Sequence, residues 1–237
     1  MIRKFLSRKS ILVVTSMLSI AILFSACKKD KGEMVQTPVA GLMAFNLATD
    51  QPLVSVGLSG NLLGGAPLGY GSYTGTYLNV YTGNREVSSY GASNNLLDSL
   101  TYPFEQGKYY SLFVTGTGNS HKNIIVQDNY DSLTASSGKA YVRYVNAVGG
   151  SASSNVTISS GATNVVNNSA IFGQVSPFIA VTPGSLSVNV SNESSASRTI
   201  TVSQQKAYTI LLMGQANQTD STKAVQIRFI ENGTVTD

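Results

Sequence analysis

Two ten-residue stretches, "GKYYSLFVTG" at residues 107–116 and "QKAYTILLMG" at residues 205–214, decide the fold of this 237-residue chain. They align without a gap, 98 residues apart. The identical positions are Lys108 with Lys206, Tyr110 with Tyr208, and Gly116 with Gly214. Each stretch is an apolar and aromatic run that ends in glycine, which is typical of a strand entering a turn. The sequence therefore contains the same predicted strand twice.

Four further pairs of segments repeat in the same order and at nearly the same spacing. They are "AFNLA" (44–48) with "YVNAV" (144–148), "YGSYTGTYLNV" (70–80) with "FGQVSPFIAV" (172–181), "VYTG" (80–83) with "VTPG" (181–184), and "IVQDN" (125–129) with "RFIEN" (228–232). Ordered self-similarity at one period indicates a duplicated structural unit. We predict two tandem domains, at residues 39–134 and 139–237, joined by "LTASSG" at residues 133–138.

Each unit is predicted to consist of short β-strands. Runs such as Tyr110–Val114 and Leu186–Val190 are rich in β-branched and aromatic residues, and clusters of Gly, Asn and Ser separate them. After residue 26 no window keeps a helical period, because Ser, Thr, Asn and Gly are poor helix-interior residues. The predicted fold class is all-β, with two tandem antiparallel β-sandwich domains of the immunoglobulin- or transthyretin-like kind.

The second unit carries a pattern that resembles a known bacterial family. The pattern consists of an opening strand at Arg143–Ala147, the pair Phe172-Gly173, Phe178, the turn glycine Gly184, and the strand Tyr208–Gly214. It resembles the bacterial domain of unknown function 4397, and the first unit fits the same pattern less closely. The resemblance implies a β-sandwich and a cell-envelope location, and it brings no catalytic residues.

The N-terminus has the features of a secretory signal peptide at residues 1–26. Four basic residues precede an apolar run at residues 11–24, which is shorter than the roughly 20 residues that span a bilayer. The sequence "LFSAC" at residues 23–27 resembles a bacterial lipobox, which implies acylation of Cys27. The alternative is an ordinary signal peptide that is cleaved beside a cysteine. Because Cys27 is the only cysteine, acylation also explains an otherwise unpaired thiol in an exported protein.

Residues 27–38 are predicted to form a polar tether between the lipid anchor and the first domain. Lys28 follows the cysteine, which by resemblance to other lipoproteins favours the outer membrane. The segment "CKKDKG" at residues 27–32 also resembles the start of many lipoproteins of the Bacteroidetes. The expected location is the cell envelope, with the protein held at the outer membrane by lipid. The periplasmic and extracellular faces both remain open.

The net charge does not favour a nucleic-acid partner. The chain has 16 Lys and Arg against 12 Asp and Glu, and four of the basic residues precede Cys27 together with none of the acidic ones. The remaining chain therefore has 12 of each, and the basic footprint of a nucleic-acid-binding protein is missing.

The sequence gives little support for catalysis, a metal or a cofactor. His121, the only histidine, lies in the polar segment "GTGNSHKN" and is expected to be solvated, and no Gly-x-Ser-x-Gly motif is present. One histidine without thiolates does not make a zinc or iron site. Asp128, Asn129 and Asp131 lie close enough to contact calcium, but turn residues explain them better. We predict a protein that is not an enzyme and has no metal site or cofactor.

Three tyrosines are candidates for a ligand platform. Tyr73, Tyr77 and Tyr81 share one face of the segment at residues 73–81 if that segment is extended. Such a row could stack on sugar rings. Phe178 occupies the place of Tyr77 in the second unit, which favours a packing role.

Three serines are candidates for O-glycosylation, because each lies in an Asp-Ser-aliphatic or Asp-Ser-Thr tripeptide that resembles the Bacteroidetes acceptor motif. They are Ser99, Ser132 and Ser221. Asp-Ser pairs are also common in turns.

Together these features predict an outer-membrane or cell-surface lipoprotein that acts as a non-enzymatic binding, adhesion or assembly module. Its expected partners are the membrane, through the lipid anchor, and a glycan or a surface protein. Two alternatives remain. One is an accessory protein or hydrolase in polysaccharide processing, which would need a carboxylate pair that sequence does not reveal. The other is an architectural spacer.

Overall fold

A computed structural model describes residues 37–192 and 194–236. The predicted signal peptide, Cys27 and residues 28–36 of the predicted tether lie outside the described residues. The described part consists of strands and two 3-10 turns, at Tyr130–Ser132 and Ala135–Ser137, and none of its helices is long and apolar enough to cross a membrane. The predicted all-β fold class with tandem sandwiches is confirmed.

The first repeat forms two sheets. Its strands are β1 (Val39–Asn46), β2 (Leu53–Leu58), β3 (Asn61–Leu62), β4 (Leu68–Gly69), β5 (Leu78–Tyr81), β6 (Gly83–Gly91), β7 (Leu96–Phe104), β8 (Tyr109–Thr115) and β9 (Lys122–Gln127). One sheet has the strand order β5-β1-β8-β9. The other has the order β3-β2-β6-β7, with β4 paired to β2.

The second repeat follows the same plan. Its strands are β10 (Ala140–Gly149), β11 (Ser153–Ser160), β12 (Thr163–Ile171), β13 (Ile179–Val181), β14 (Gly184–Ser191), β15 (Ala196–Val202), β16 (Lys206–Gln215) and β17 (Gln226–Thr234). The sheets have the orders β13-β10-β16-β17 and β12-β11-β14-β15. Within the described residues, each sheet takes all its strands from one repeat.

Each repeat includes one parallel strand pair. β1 runs parallel to β8, and β10 runs parallel to β16, whereas their other neighbours are antiparallel. Between the two strands of each pair the chain crosses to the opposite sheet, so it can return in the same direction. The sequence did not predict this feature.

The parallel strands are buried on both faces. In β1, Leu42 and Ala44 point into the core of the first sandwich, while Met43 and Phe45 point into a separate core shared with the second repeat. β10 and β16 divide their side chains in the same way. Strands covered on both faces have near-continuous apolar sequences, in contrast to the alternation of a half-exposed strand such as β14.

The described residues therefore form a stack of four sheets with three apolar cores between sheets, and a fourth, smaller apolar cluster contains Leu133, Ala135, Tyr141, Ala207 and Val235. An inner core lies inside each sandwich, and a third core lies between the β5-β1-β8-β9 and β13-β10-β16-β17 sheets. The third core is referred to below as the junction. Its fully buried members come from both repeats: Met43, Phe45, Leu47, Phe113, Val145, Ala147, Leu211 and Met213.

Two of the repeated residues have a clear structural reason. Asn46 and Asn146 are fully buried near the ends of β1 and β10. The amide of Asn46 donates to the carbonyls of Gln51 and Leu68, and that of Asn146 donates to the carbonyl of Ala170. Each side-chain oxygen accepts from the backbone N–H two residues later. The asparagine satisfies backbone groups where the chain leaves its strand.

The repeated glycines are required by backbone geometry. Gly116 and Gly214 have φ angles of +101° and +113°, which L-residues with a side chain rarely adopt. A Cβ would lie 2.2 Å from the carbonyl oxygen of Ser120 at the first site and 2.3 Å from that of Ala224 at the second. Only glycine fits both positions, which explains why Gly116 and Gly214 are identical in the two repeats.

Candidate functional site

A buried ion pair joins the two repeats at the junction. Arg143 on β10 donates from Nη1 to Oδ1 of Asp128, which follows β9 of the first repeat. The side chains are 2% and 0% exposed, respectively. Burying two charges is costly unless they are paired and their remaining hydrogen-bonding groups are satisfied. Whether this pair can be buried therefore depends on the hydrogen-bonding groups around it.

Polar groups of both repeats complete the ion pair. The guanidinium group of Arg143 donates to Ser111 Oγ at 2.8 Å and to Thr209 Oγ1 at 2.9 Å. It also lies 4.6 Å from the centre of the Phe178 ring, a distance at which a cation is attracted to the aromatic face. The Asp128 carboxylate additionally accepts from Ser111 Oγ at 2.7 Å and from the hydroxyl of Tyr77.

Tyr77 connects this network to the surface. Its hydroxyl donates to Asp128 Oδ2 and lies 3.2 Å from the hydroxyl of Tyr130. Burial, followed by the neighbouring Asp128 and Tyr130, raises the pKa of Tyr77 well above its ordinary value. Burial also raises the pKa of Tyr130 to about 12. Both phenols therefore stay protonated near neutral pH and remain hydrogen-bond donors.

The junction has approximate twofold symmetry, with different residues on the two sides. Thr209, at the position of Ser111, donates to Asn232 Oδ1 at 2.6 Å. Strand register pairs Gln127 with Tyr110 and Glu231 with Tyr208, so Asn232 takes the place of Asp128, one residue later than the sequence repeat suggested. Nδ2 of Asn232 lies 4.0 Å from Sδ of Met43, which stands at the position of Arg143. One side of the duplicated junction is ionic, and the other is neutral.

A cleft of about 700 Å³ opens beside the network. We call it the tyrosine cleft, because three tyrosines and several polar side chains line it. The residues used below are Tyr77, Tyr109, Tyr130, Asp131, Thr134, Asn232 and Thr234. They come from both repeats and from the segment between them. A concave, largely preformed site with aromatic walls and a few polar groups is the usual form of a ligand site.

Tyr109 lies in the cleft because its partner on β1 is a glycine. A Cβ on Gly41 would lie 2.6 Å from Cδ1 of Tyr109, so the ring covers the glycine directly. In the second repeat the large and the small residue of this pair are exchanged: Tyr141 on β10 lies opposite Ala207 on β16. The hydroxyl group of Tyr141 instead accepts a hydrogen bond from the Thr134 N–H and donates one to the Thr134 carbonyl. The cleft therefore results from divergence of the two repeats.

The three tyrosines considered from sequence do not form one platform. Tyr73 stacks on Phe45 with ring centres 5.5 Å apart and packs against the junction. Tyr77 is held by the buried network and lines the cleft. Tyr81 is 62% exposed, and its ring lies 5.9 Å from the guanidinium carbon of Arg85, away from the cleft. Each tyrosine has a different environment.

His121 is not solvated as the polar sequence around it suggested. Its side chain is 5% exposed, and Nε2 lies 2.8 Å from Oδ1 of Asp50. Burial acts to raise the pKa of Asp50, but hydrogen bonds from His121 and the Gly118 N–H lower it overall. The loop that contains Gly118 and His121 is held against Asp50 because the Asp50 carboxylate is hydrogen-bonded to both residues.

The acidic residues near the end of β9 face different partners. Asp128 points inward to Arg143, whereas Asp131 is exposed and pairs with the half-buried Lys108. Within residues 37–192 and 194–236, no group of three or more His, Cys, Asp or Glu side chains is placed to hold a metal ion.

The three candidate O-glycosylation serines are exposed. Ser99 lies on β7 with its Oγ 2.8 Å from Ser88 Oγ. Ser132 lies in the first 3-10 turn, and Ser221 lies in the turn region before β17. Their modification remains a prediction.

Sequence reasoning missed Arg143, Tyr109, Tyr130 and Asn232 as site residues. Arg143 offered a signal, since it is a charged residue inside the otherwise apolar run of β10. A lone charge in a strand that is buried on both faces requires a buried partner. The other three residues lie in segments far apart in sequence, so no local pattern relates them.

We predict that Asp128→Asn lowers the free energy of unfolding by about 3 to 5 kcal/mol, because it leaves the Arg143 charge buried without a counter-ion. The double variant Asp128→Asn/Arg143→Met imitates the Asn232 and Met43 side of the junction and should recover much of this loss. Urea unfolding measures both. Asp131→Asn, in the exposed pair with Lys108, is the control. Wild-type stability in Asp128→Asn, or no recovery in the double variant, would contradict this account of the junction.

Comparisons with known proteins identify a family and also find solved structures that resemble this chain. No curated protein matches this chain. A solved structure of a proposed cell adhesion protein from Bacteroides uniformis aligns over 84% of this chain and 99% of its own, with 8% identity and a TM-score of 0.26, too low to support an argument. The family "Domain of unknown function (DUF4397)" matches residues 40–152 and 140–234. The chain belongs to the DUF4397 family, of which it carries two tandem copies.

Proposed function

We propose that this protein is a lipid-anchored, non-enzymatic binding module of the bacterial cell envelope, and that the tyrosine cleft is its ligand site. One observation carries the proposal: a preformed cleft lies where two repeats are packed together through a buried network. Sites between packed domains are common places for ligands, because each domain contributes one wall.

The cleft is held in a defined shape before any ligand arrives. Tyr77 is fixed by Asp128, and Tyr130 is fixed by Tyr77 through their hydroxyl groups. The rings of Tyr77 and Tyr109 meet edge to face, with centres 5.0 Å apart. A wall that does not need to be ordered on binding leaves more of the contact energy for affinity.

The contacts of the titratable groups support binding over hydrolysis. Hydrolysis of a glycosidic bond ordinarily needs two carboxyl groups on opposite sides of the bond. In the described part of the chain, the carboxylate that lines the cleft is Asp131, and it pairs with Lys108. Asp128 lies behind the cleft wall and is neutralised by Arg143. Because both carboxylates are already paired with basic side chains, the arrangement favours the binding module over the hydrolase alternative.

The anchor is part of the proposal and rests on the N-terminal sequence. The basic and apolar segments, the lipobox-like "LFSAC" at residues 23–27 and the single cysteine support acylation of Cys27. Several acyl chains, at about 0.8 kcal/mol per buried CH₂, would make attachment effectively permanent. Lys28 after the cysteine favours the outer membrane.

We expect wild-type protein to incorporate an alkyne-tagged fatty acid supplied to the cells that express it, and to be recovered with membranes. Cys27→Ala removes the only thiol that can be acylated, so it should incorporate no tag and either stay soluble or keep its leader. Gel fluorescence after click labelling measures incorporation. An untagged wild-type protein would rule out the lipid anchor.

Filling the cleft should abolish binding. Beads coated with the protein are tested for retention on immobilised polysaccharides and on immobilised extracellular-matrix and bacterial surface proteins. Thr134→Trp places a large ring in the cleft at an exposed position, and it should lower retention at least about ten-fold, equivalent to 1.4 kcal/mol. Thr201→Trp, at an exposed position of β15, is the matched control and should bind as wild type does.

The architectural-spacer alternative makes the opposite prediction. The buried junction would also suit a rigid spacer, which has no use for an open cleft. If wild-type beads are retained on none of the surfaces, or if Thr134→Trp beads are retained as well as wild type, the binding proposal is wrong and the spacer is favoured.

A further inference from the structure

We propose that the tyrosine cleft binds a neutral saccharide, with one sugar ring stacked on Tyr109 and its hydroxyl groups bonded to the polar wall that Asn232, Thr134 and Thr234 provide. This inference rests on the proposed binding function and adds the chemical class of the ligand. Three features of the described cleft point to it: an exposed but fixed aromatic ring, hydrogen-bonding groups without net charge, and charges that are already paired.

The first feature is the ring of Tyr109, which is 46% exposed although three neighbours hold it in place. It covers Gly41 on β1 and meets the rings of Tyr77 and Tyr130 edge to face, with centres 5.0 and 5.7 Å apart. The C–H face of a sugar ring is apolar and packs well on an aromatic ring. A fixed, half-exposed tyrosine therefore offers a stacking surface with little entropy left to lose.

The second feature is the polar wall opposite the aromatic residues. Asn232 is 6% exposed, and its Oδ1 is occupied by the bond from Thr209. Its Nδ2 group has only long contacts, 3.5 Å to the hydroxyl of Tyr77 and 4.0 Å to Sδ of Met43. These two contacts account for both donor hydrogens of the amide, but both are longer than an ordinary hydrogen bond, so a ligand hydroxyl group can replace one of them.

The threonines extend this wall. Thr134 and Thr234 line the same cleft and carry hydroxyl groups, which both donate and accept hydrogen bonds. Sugars present closely spaced hydroxyl groups of the same dual character. The lining therefore matches a polyhydroxylated ligand better than an apolar one.

The third feature is the state of the charges near the cleft. Lys108 pairs with Asp131, and Lys206 pairs with Glu231 at 2.7 Å while also donating to Thr234. An acidic sugar or a phosphate would need a cation that is available to it, and a basic ligand would need an available carboxylate. Each of these charges has an opposite charge beside it, so the surroundings of the cleft offer no excess of either sign, and we expect a neutral ligand.

The test is binding to a printed array of neutral and acidic glycans, followed by titration calorimetry with the neutral glycan that binds best. Wild-type protein should bind neutral glycans and not acidic ones. Tyr109→Ala removes the stacking surface and should weaken binding at least about ten-fold. Tyr109→Phe keeps the ring and should weaken binding by a smaller factor. Tyr81→Ala removes an exposed tyrosine outside the cleft and should bind as wild type does.

Loss of folding is separated from loss of binding by a second variant and by melting curves. Asn232→Leu removes the amide donor but keeps a side chain of similar size in the cleft wall. Thr134→Trp fills the cleft from an exposed position. The proposal requires that Tyr109→Ala, Asn232→Leu and Thr134→Trp each bind the neutral glycan more weakly when they keep a wild-type melting profile.

The saccharide assignment is overturned if no neutral glycan binds, if only acidic glycans bind, or if Tyr109→Ala binds as wild type does. Retention of wild-type beads on an immobilised protein, lost in Thr134→Trp while the array stays blank, would overturn the saccharide and leave the binding function in place. If Thr134→Trp matches wild type on every surface, both proposals fail.

Discussion

The ion pair between Arg143 and Asp128 is the constraint on which the rest of the structure depends. Each charge is supplied by a different repeat, and both are shielded from water. Such a pair is stable only where its partners enclose it completely, so the two sandwiches must pack against each other whenever it is buried. Packing them closes the third core and covers the second face of β1, β8, β10 and β16. The tandem repeats thereby become one body.

The cleft follows from the same arrangement. Asp128 fixes the hydroxyl of Tyr77, and Tyr77 in turn fixes Tyr130, so the buried charge orients residues that reach the surface. Asn232 closes the far wall from the second repeat. A duplicated domain starts with two equivalent sides, and here Arg143 and Asp128 stand on one side where Met43 and Asn232 stand on the other. Because the two repeats have diverged, the junction is ionic on one side and neutral on the other, and a cleft opens beside it.

The sequence predicted the features that depend on local pattern. Strand-forming runs, the glycines at 116 and 214 and the asparagines at 46 and 146 repeat because backbone geometry requires them in each copy. It did not predict the parallel pairs or the junction, since both depend on how distant segments meet. The nearly continuous apolar sequences of β1, β10 and β16 were local signs of strands covered on both faces, and Arg143 within β10 was a local sign of a buried partner. Tyr77, Tyr109 and Asn232 meet only through the fold.

The two repeats form one compact unit that should unfold cooperatively, because the buried network and the shared core join them. Differential scanning calorimetry of the purified protein tests it most directly. A single transition whose calorimetric enthalpy equals the van't Hoff enthalpy is predicted, because neither sandwich can unfold without exposing the charges and apolar side chains of the junction. Two separate transitions, each with the enthalpy of one repeat, would contradict the claim.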